Sequence, residues 1–146
     1  MYCLFFMILK LRKIKKFSDS AIEHIPNLVY LQQFCSHCEM QPDISVVCER
    51  CGKRRHSFYD DPVGDLLSYL CAPRTWYEKV VAIAHNSKGF DAQFILNRAI
   101  FMKWQPKLIL KGLKIIRMQI QHLTFIDSFH FYLCHCVNYL KPLDSR

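Results

Sequence analysis

Four of the eight cysteines form the pattern Cys35-x2-Cys38-x9-Cys48-x2-Cys51. A CxxC turn sets two thiolates on one side of a tight loop. Two such turns facing each other supply the tetrahedral sulfur shell that Zn2+ prefers, at about 2.3 Å per bond. Four thiolates close the shell and leave no open position for a substrate, so the chemistry predicted is structural: Zn2+ folding residues 35–51, a polar stretch with Gln41, Pro42, Asp43, Glu49, Arg50 and Gly52 and too little core to hold itself. His37 and His56 are spaced to replace one cysteine, although four cysteines already complete the shell. The other reading of the same residues is two disulfides in a secreted protein. Against it, Cys3, Cys71, Cys134 and Cys136 show no framework spacing. Cys71 and the Cys134-His135-Cys136 stretch read as packing residues.

The second place where residue types suggest chemistry is His85-Asn86-Ser87-Lys88-Gly89-Phe90-Asp91. It sets an amide, a lysine, a glycine and a carboxylate just after a five-residue apolar run, Val80 to Ala84. In α/β sheets ligands gather at such carboxyl ends of buried strands. Asp91 can bind a hard divalent cation such as Mg2+ through oxygen. It is equally suited to capping the helix that follows it, so both roles stand at this point.

Elements must position these residues. With 146 residues, 51% of them hydrophobic, the chain can bury one domain core. Four Gly and six Pro are too few for a collagenous, linker-like or disordered chain. Asn27 to Phe34 reads as a strand feeding the zinc loop. Asp61-Pro62 opens a helix whose Val63, Leu66, Leu67 and Leu70 recur at helical spacing until Pro73. Val80 to Ala84 is a strand buried on both faces. Asp91 to Met102 is a helix with Phe94, Ile95, Ala99 and Met102 on one stripe. Leu108 to Leu110 and Lys114 to Gln121 flank Lys111-Gly112-Leu113 as a hairpin, with Ile116, Met118 and Ile120 on one face. Leu123 to Asp127 is a last strand. This order predicts a mixed-sheet α/β domain with a metal-bound insertion. Met1 to Phe17 contains no Asp or Glu, and its apolar Leu4 to Leu9 suits a strand running into a basic exit.

The net charge of +8 is segregated. Lys10, Arg12, Lys13, Lys15 and Lys16 precede any acid, and Arg98, Lys103, Lys107, Lys111, Lys114 and Arg117 lie in the acid-free stretch between Asp91 and Asp127. Two cationic stretches suit a polyanion, because each neutralised phosphate releases counterions. They equally suit ordinary solvated faces. The apolar run Met1 to Leu9 is about half the length of a membrane span, and its cations follow it, so the sequence is read as intracellular, nuclear or cytoplasmic, with no membrane association.

His85 to Leu96 resembles the second exonuclease motif (Asn, short spacer, aromatic, Asp) of protein-primed family B DNA polymerases of the organellar, viral and Polinton/Maverick transposon type. His24-Ile25-Pro26-Asn27-Leu28-Val29, the CxxC pairs, Lys107 to Gly112 and Leu123 to Phe129 resemble the same family in the same order, so the similarity runs over residues 24 to 141. It implies a ribonuclease H-like 3′ to 5′ proofreading exonuclease domain. In that domain Asp91 would be a catalytic carboxylate holding Mg2+ or Mn2+, Asn86 and His85 would hold the 3′ end of single-stranded DNA, and Phe90 and Phe94 would stack on it. Ser128-Phe129 would make a later strand contact, with Phe in place of the family's Leu, and Lys114 and Arg117 would add phosphate contacts from the hairpin. Two departures count against activity: the family's upstream Asp-x-Glu has no counterpart, and neither has its Tyr-x3-Asp motif. The polymerase palm, and with it deoxynucleotide binding, would lie outside this chain. Residues 1–146 are thus expected to be a single partial exonuclease-like domain with a zinc insertion at 35–51, weakly active or inactive, and the sequence lets no obligate protein partner be inferred. The alternative is a small zinc-bearing module that binds nucleic acid or protein without catalysis, with Asp91 as a cap and Phe90 and Phe94 as core. A further alternative is an active nuclease using Asp91, Asp127 and His130.

Overall fold

A computed structural model of the protein describes residues 2–15, 22–75, 77–84 and 91–128. Its strands are β1 (Tyr2–Lys15), β2 (Ile22–Phe34), β3 (Arg55–Phe58), β4 (Lys79–Ala84), β5 (Lys107–Lys111), β6 (Lys114–Ile120) and β7 (Leu123–Asp127), with helices α1 (Pro62–Cys71) and α2 (Asp91–Phe101). All seven strands join in one sheet in the order β3-β2-β1-β4-β7-β6-β5. The three central strands β1, β4 and β7 are parallel, and every other pairing is antiparallel. The fold is therefore mixed α/β. No helix among the described residues is long and apolar enough to cross a membrane.

The apolar N-terminal run is β1, an interior strand rather than a peripheral one. Cys3, Phe5 and Met7 point to the helix-covered face and are at most 2% exposed, while Leu4, Phe6 and Ile8 alternate to the other face. A run that is apolar on both faces carries no period-two signal, and only its pairing with β4 fixes its place. β2 begins five residues before the predicted Asn27, because it follows β1 as a ribbon out to the Lys15–Ile22 pair, with a bulge between Lys10 and Leu11.

Both helices cover one face. Asp61 caps α1 by accepting from the Gly64 amide, and Pro62 begins it, where its missing N–H costs nothing. Leu66, Leu67 and Leu70 are fully buried against the sheet, each worth about 2 kcal/mol of apolar transfer. A Cβ at Gly64 would fall on the Asp61 carboxylate and the Arg98 guanidinium that pair above it, so a larger residue there would displace that pair. α2 buries Ile95 and Ala99 and ends in a Schellman arrangement: Trp104 N donates to Ala99 O (3.0 Å) and Lys103 N to Ile100 O (2.9 Å). This puts Lys103 at φ 60°, a conformation that favours glycine. In the β5–β6 hairpin Gly112, at φ 61°, takes the first position of a two-residue turn, as the sequence signal requires.

The ends of the strands matter most for function. β1 and β4 stay paired only to Met7–Ala84, and β4 and β7 to Ala84–Asp127. Beyond that row the β1–β2 ribbon continues on one side. On the other side β6, aligned Arg117 to Ile126, carries the β5–β6 turn past the end of β7. The carboxyl edge of the parallel core is thus flanked by two projecting antiparallel ribbons.

Candidate metal centre and nucleic-acid interface

The four cysteines of the double CxxC pattern form their own buried cluster. Cys35 Sγ lies 3.7 Å from both Cys38 Sγ and Cys48 Sγ, and Cys38 Sγ lies 3.5 Å from Cys51 Sγ. All four sulfurs fall within 4.8 Å of one another. Sulfurs 2.3 Å from a tetrahedral centre would be about 3.8 Å apart, so the cluster has the dimensions of a metal site. None of the four is disulfide-bonded. The local backbone explains the geometry: a 3-10 turn over Ser36–Met40 returns Cys38 N to Cys35 O (2.9 Å), and Gly52, at φ 78°, folds its amide back to Cys48 O (2.8 Å). Burial pushes the Cys35 and Cys51 thiols up. Burial also opposes ionisation of Cys48, yet amide hydrogen bonds from Cys51 and Arg50 bring it down to about 7. The group could bind a metal ion and is compatible with structural zinc. His37 is exposed and His56 is engaged elsewhere, so neither replaces a cysteine.

The cluster is wired into the domain. Gln33 on β2, fully buried, donates from Nε2 to Cys51 O (2.5 Å) and Lys53 O (2.8 Å), and its Oε1 accepts from Tyr69 Oη of α1 (2.8 Å). His56 Nε2 stands 2.9 Å from the same hydroxyl. Arg54, 2% exposed, donates to the carbonyls of Gln41 and Asp43 (2.9 Å each) with its guanidinium over the Phe34 ring. Sequence periodicity gives no sign of these contacts. Polar residues in strands and loops read as solvent-facing, and Gln33, on β2, and Arg54, in the loop before β3, are buried where the metal loop offers carbonyls to them.

At the carboxyl edge, Asp91 starts α2 and Asp127 ends β7. They are 36 positions apart in the sequence, and parallel pairing of β4 with β7 brings them together. Burial, and then the negative charge of Asp127, raise Asp91 to about 6. Asp127 is itself 3% exposed. The void beside it, lined by Ala84, Ala92 and Phe125, measures about 10 Å³, room for a water-sized guest. The sequence offers Asp91 and Asp127 together only as ligands of the alternative nuclease, and the strand pairing is what makes them neighbours. On the helix-covered face β1 offers Met7, aligned through Ala84 with Asp127, and then Leu9, both apolar.

Both cationic stretches reach this edge. Lys10, Arg12 and Lys13 lie on the part of β1 that continues past Met7, and Lys111 and Lys114 close the β5–β6 turn past the end of β7, with Arg117 one residue pair inside. β1 and β6 are separated by three strand spacings, about 14 Å. An open groove of about 400 Å³ lies on the β1–β2 side of this edge, where Pro26 and Ile25 pair with Leu11 and Arg12, and Asp60, Asp61, Phe94, Arg98 and Phe101 also line it. Phe94 is half-buried: it packs on the core and also forms part of this groove. Ser128 is half-buried just after β7. His85, Asn86, Phe90, Phe129 and His130 lie outside the described residues. No protein-family model, curated protein or solved structure matches the chain.

Proposed function

We propose that the protein is an exonuclease-like domain of the family B DNA polymerase type that binds single-stranded DNA and has little or no hydrolytic activity of its own. The observation that carries this reading is the convergence, on one edge of the sheet, of two cationic ribbons and a carboxylate pair. Lys10, Arg12 and Lys13 flank one side, and Lys111, Lys114 and Arg117 the other. The two ribbons stand about 14 Å apart from backbone to backbone, close enough for cations of both to reach the phosphates of one strand laid across the edge. Phe94, in the adjoining groove, offers a ring face for a base, and stacking of that kind contributes about 1–3 kcal/mol without regard to sequence.

The ribonuclease H-like expectation is supported by the β3-β2-β1-β4-β7 portion of the sheet, with its parallel centre and helices crossing between β3, β4 and β7. Asp91 and Asp127 would hold Mg2+ or Mn2+, which would polarise a phosphodiester oxygen. Two-metal hydrolysis needs further carboxylates to keep cations roughly 3.5–4 Å apart. Met7 and Leu9 stand on β1 where an Asp-x-Glu pair would face Asp127, and neither can ligate. The four-cysteine cluster is assigned to structural Zn2+, which secures the loop between β2 and β3.

The test is fluorescence anisotropy with a labelled oligo(dT) and with the matching duplex, alongside a Mg2+- or Mn2+-dependent digestion assay. The expected result is preference for the single strand and no digestion. Equal affinity for both DNAs refutes the single-strand reading, and robust digestion refutes the assignment of β1 as catalytically silent.

A further inference from the structure

Two exposed apolar patches lie at different places on the molecule, and they are opposite in shape and in charge. The first is the β5–β6 hairpin. Among the described residues β5 is the last strand of the sheet, and all five of its residues are exposed. Leu108, Ile109 and Leu110 are 37%, 44% and 54% exposed, and Leu113, in the turn, is 99% exposed. Two-residue turns favour glycine and short polar residues, and at that exposure Leu113 contributes no packing to the fold. Lys107, Lys111 and Lys114 surround these side chains, so the hairpin is a projection with an apolar tip and a cationic border.

The second patch is concave. The groove of about 400 Å³ has the size of a binding site, and Ile25, Pro26, Val63, Phe94 and Phe101 give it apolar walls. Phe101 is 75% exposed. Its charged lining is Asp60, Asp61 and Arg98. The Asp61–Arg98 pair cancels, which leaves the rim with the negative charge of Asp60 on a chain of net charge +8.

The two patches of one molecule do not meet. Pairing of β6 with β7 holds the turn in place, and β6 lies four strand spacings, about 19 Å, from β2, which supplies one wall of the groove. A two-fold edge contact is also disfavoured, because pairing β5 with its counterpart about Ile109 sets Lys107 against Lys111 twice, and like charges directly opposite destabilise a strand pair. The complement of the cationic tip is the acidic rim of the groove. We infer that the Leu113 turn of one copy seats in the Phe94–Phe101 groove of a second copy, with its flanking lysines against Asp60, in a head-to-tail contact. The two surfaces differ, so the contact does not close on itself and adds copies in a row. One turn in one groove is smaller than a standard interface, so the association is weak. Lys111, Lys114 and Phe94 also belong to the proposed DNA-binding edge, so single-stranded DNA competes with this contact.

Sedimentation velocity of the full chain without DNA, from about 10 µM to about 1 mM, tests the contact apart from the DNA reading. The native chain should grow past the dimer as concentration rises, and added salt should oppose the growth. Leu113→Ser alters only the turn and Asp60→Lys only the rim, both at exposed positions, and each should weaken the association by about tenfold or more. Mixed in equal amounts, the two variants should form a dimer and stop there, because one keeps the groove and the other keeps the turn. Circular dichroism checks that both variants fold. A native chain that stays monomeric over this range overturns the inference and leaves the groove to another occupant such as a nucleobase. So does an assembly that ends at the dimer, one that both substitutions leave intact, or a mixture of the two variants that stays monomeric.

Discussion

Replacing Gln33 by Leu should uncouple the metal loop from the rest of the domain. Gln33 makes three hydrogen bonds in a fully buried position: to the Cys51 and Lys53 carbonyls and from the Tyr69 hydroxyl. At about 1 kcal/mol net per bond, the substitution should cost about 3 kcal/mol, because the two carbonyls and the hydroxyl stay buried while their partner is lost. For a domain of this size that corresponds to a fall in Tm of roughly 10 °C. Metal removal acts on the same bonds, since the Cys51 and Lys53 carbonyls are held in place only while the cysteine cluster is closed. Chelation and Gln33→Leu should therefore be non-additive: chelation should cost the native chain more than it costs the variant, by up to about 3 kcal/mol. Urea denaturation followed by tryptophan fluorescence, with and without chelator, reads this directly, because Trp104 packs against the core. Strict additivity would show that the cluster and the domain fold independently, and would refute the coupling.

Other consequences follow from particular residues. The purified chain should carry one equivalent of zinc by elemental analysis, and Cys48→Ser should lose it. Zinc affinity in chelator competition should weaken as pH falls, because burial raises Cys35 and Cys51 and these thiols must release protons to bind. Lys103→Gly should stabilise the chain by about 0.5–1 kcal/mol in urea denaturation, since φ 60° at that helix end is strained for any residue with a Cβ. Asp91→Asn should be more stable than the native chain above about pH 6 in magnesium-free buffer. With the folded-state pKa of Asp91 raised from 3.8 to about 6, the native chain loses stability as pH rises through that window, and the Asn variant does not. The difference should disappear near pH 4, and a constant difference across pH would show that Asp91 is not held in that environment.

Local signals made some of this architecture legible. Val80 to Ala84, the Asp61-Pro62 helix start, Gly112 in its two-residue turn and Leu123 to Asp127 each announce their element within a few residues, and the structure keeps them. The cysteine spacing also sufficed to foresee a compact four-sulfur cluster. What escaped were features created by long-range pairing. Leu4 to Leu9 reads as a strand, but its central place in the sheet does not show, because both its faces are apolar; Asp91 and Asp127 read as candidate ligands, but their meeting follows only from the β4–β7 pairing. The two cationic stretches, some 100 residues apart in the chain, reach one edge because β1 is parallel to β4 while β6 is antiparallel to β7. Arg55 to Phe58 escaped as well, since a four-residue edge strand with three polar side chains resembles a loop.

The proposed DNA-binding edge is tested most directly by the salt dependence of oligo(dT) affinity in the native chain, Lys10→Ala, Lys114→Ala and the double variant. Each lost phosphate contact should flatten the slope of log affinity against log salt by about 0.7, and the double variant by about twice that. A slope that responds to one side only, or to neither, would contradict a DNA strand held between the two ribbons.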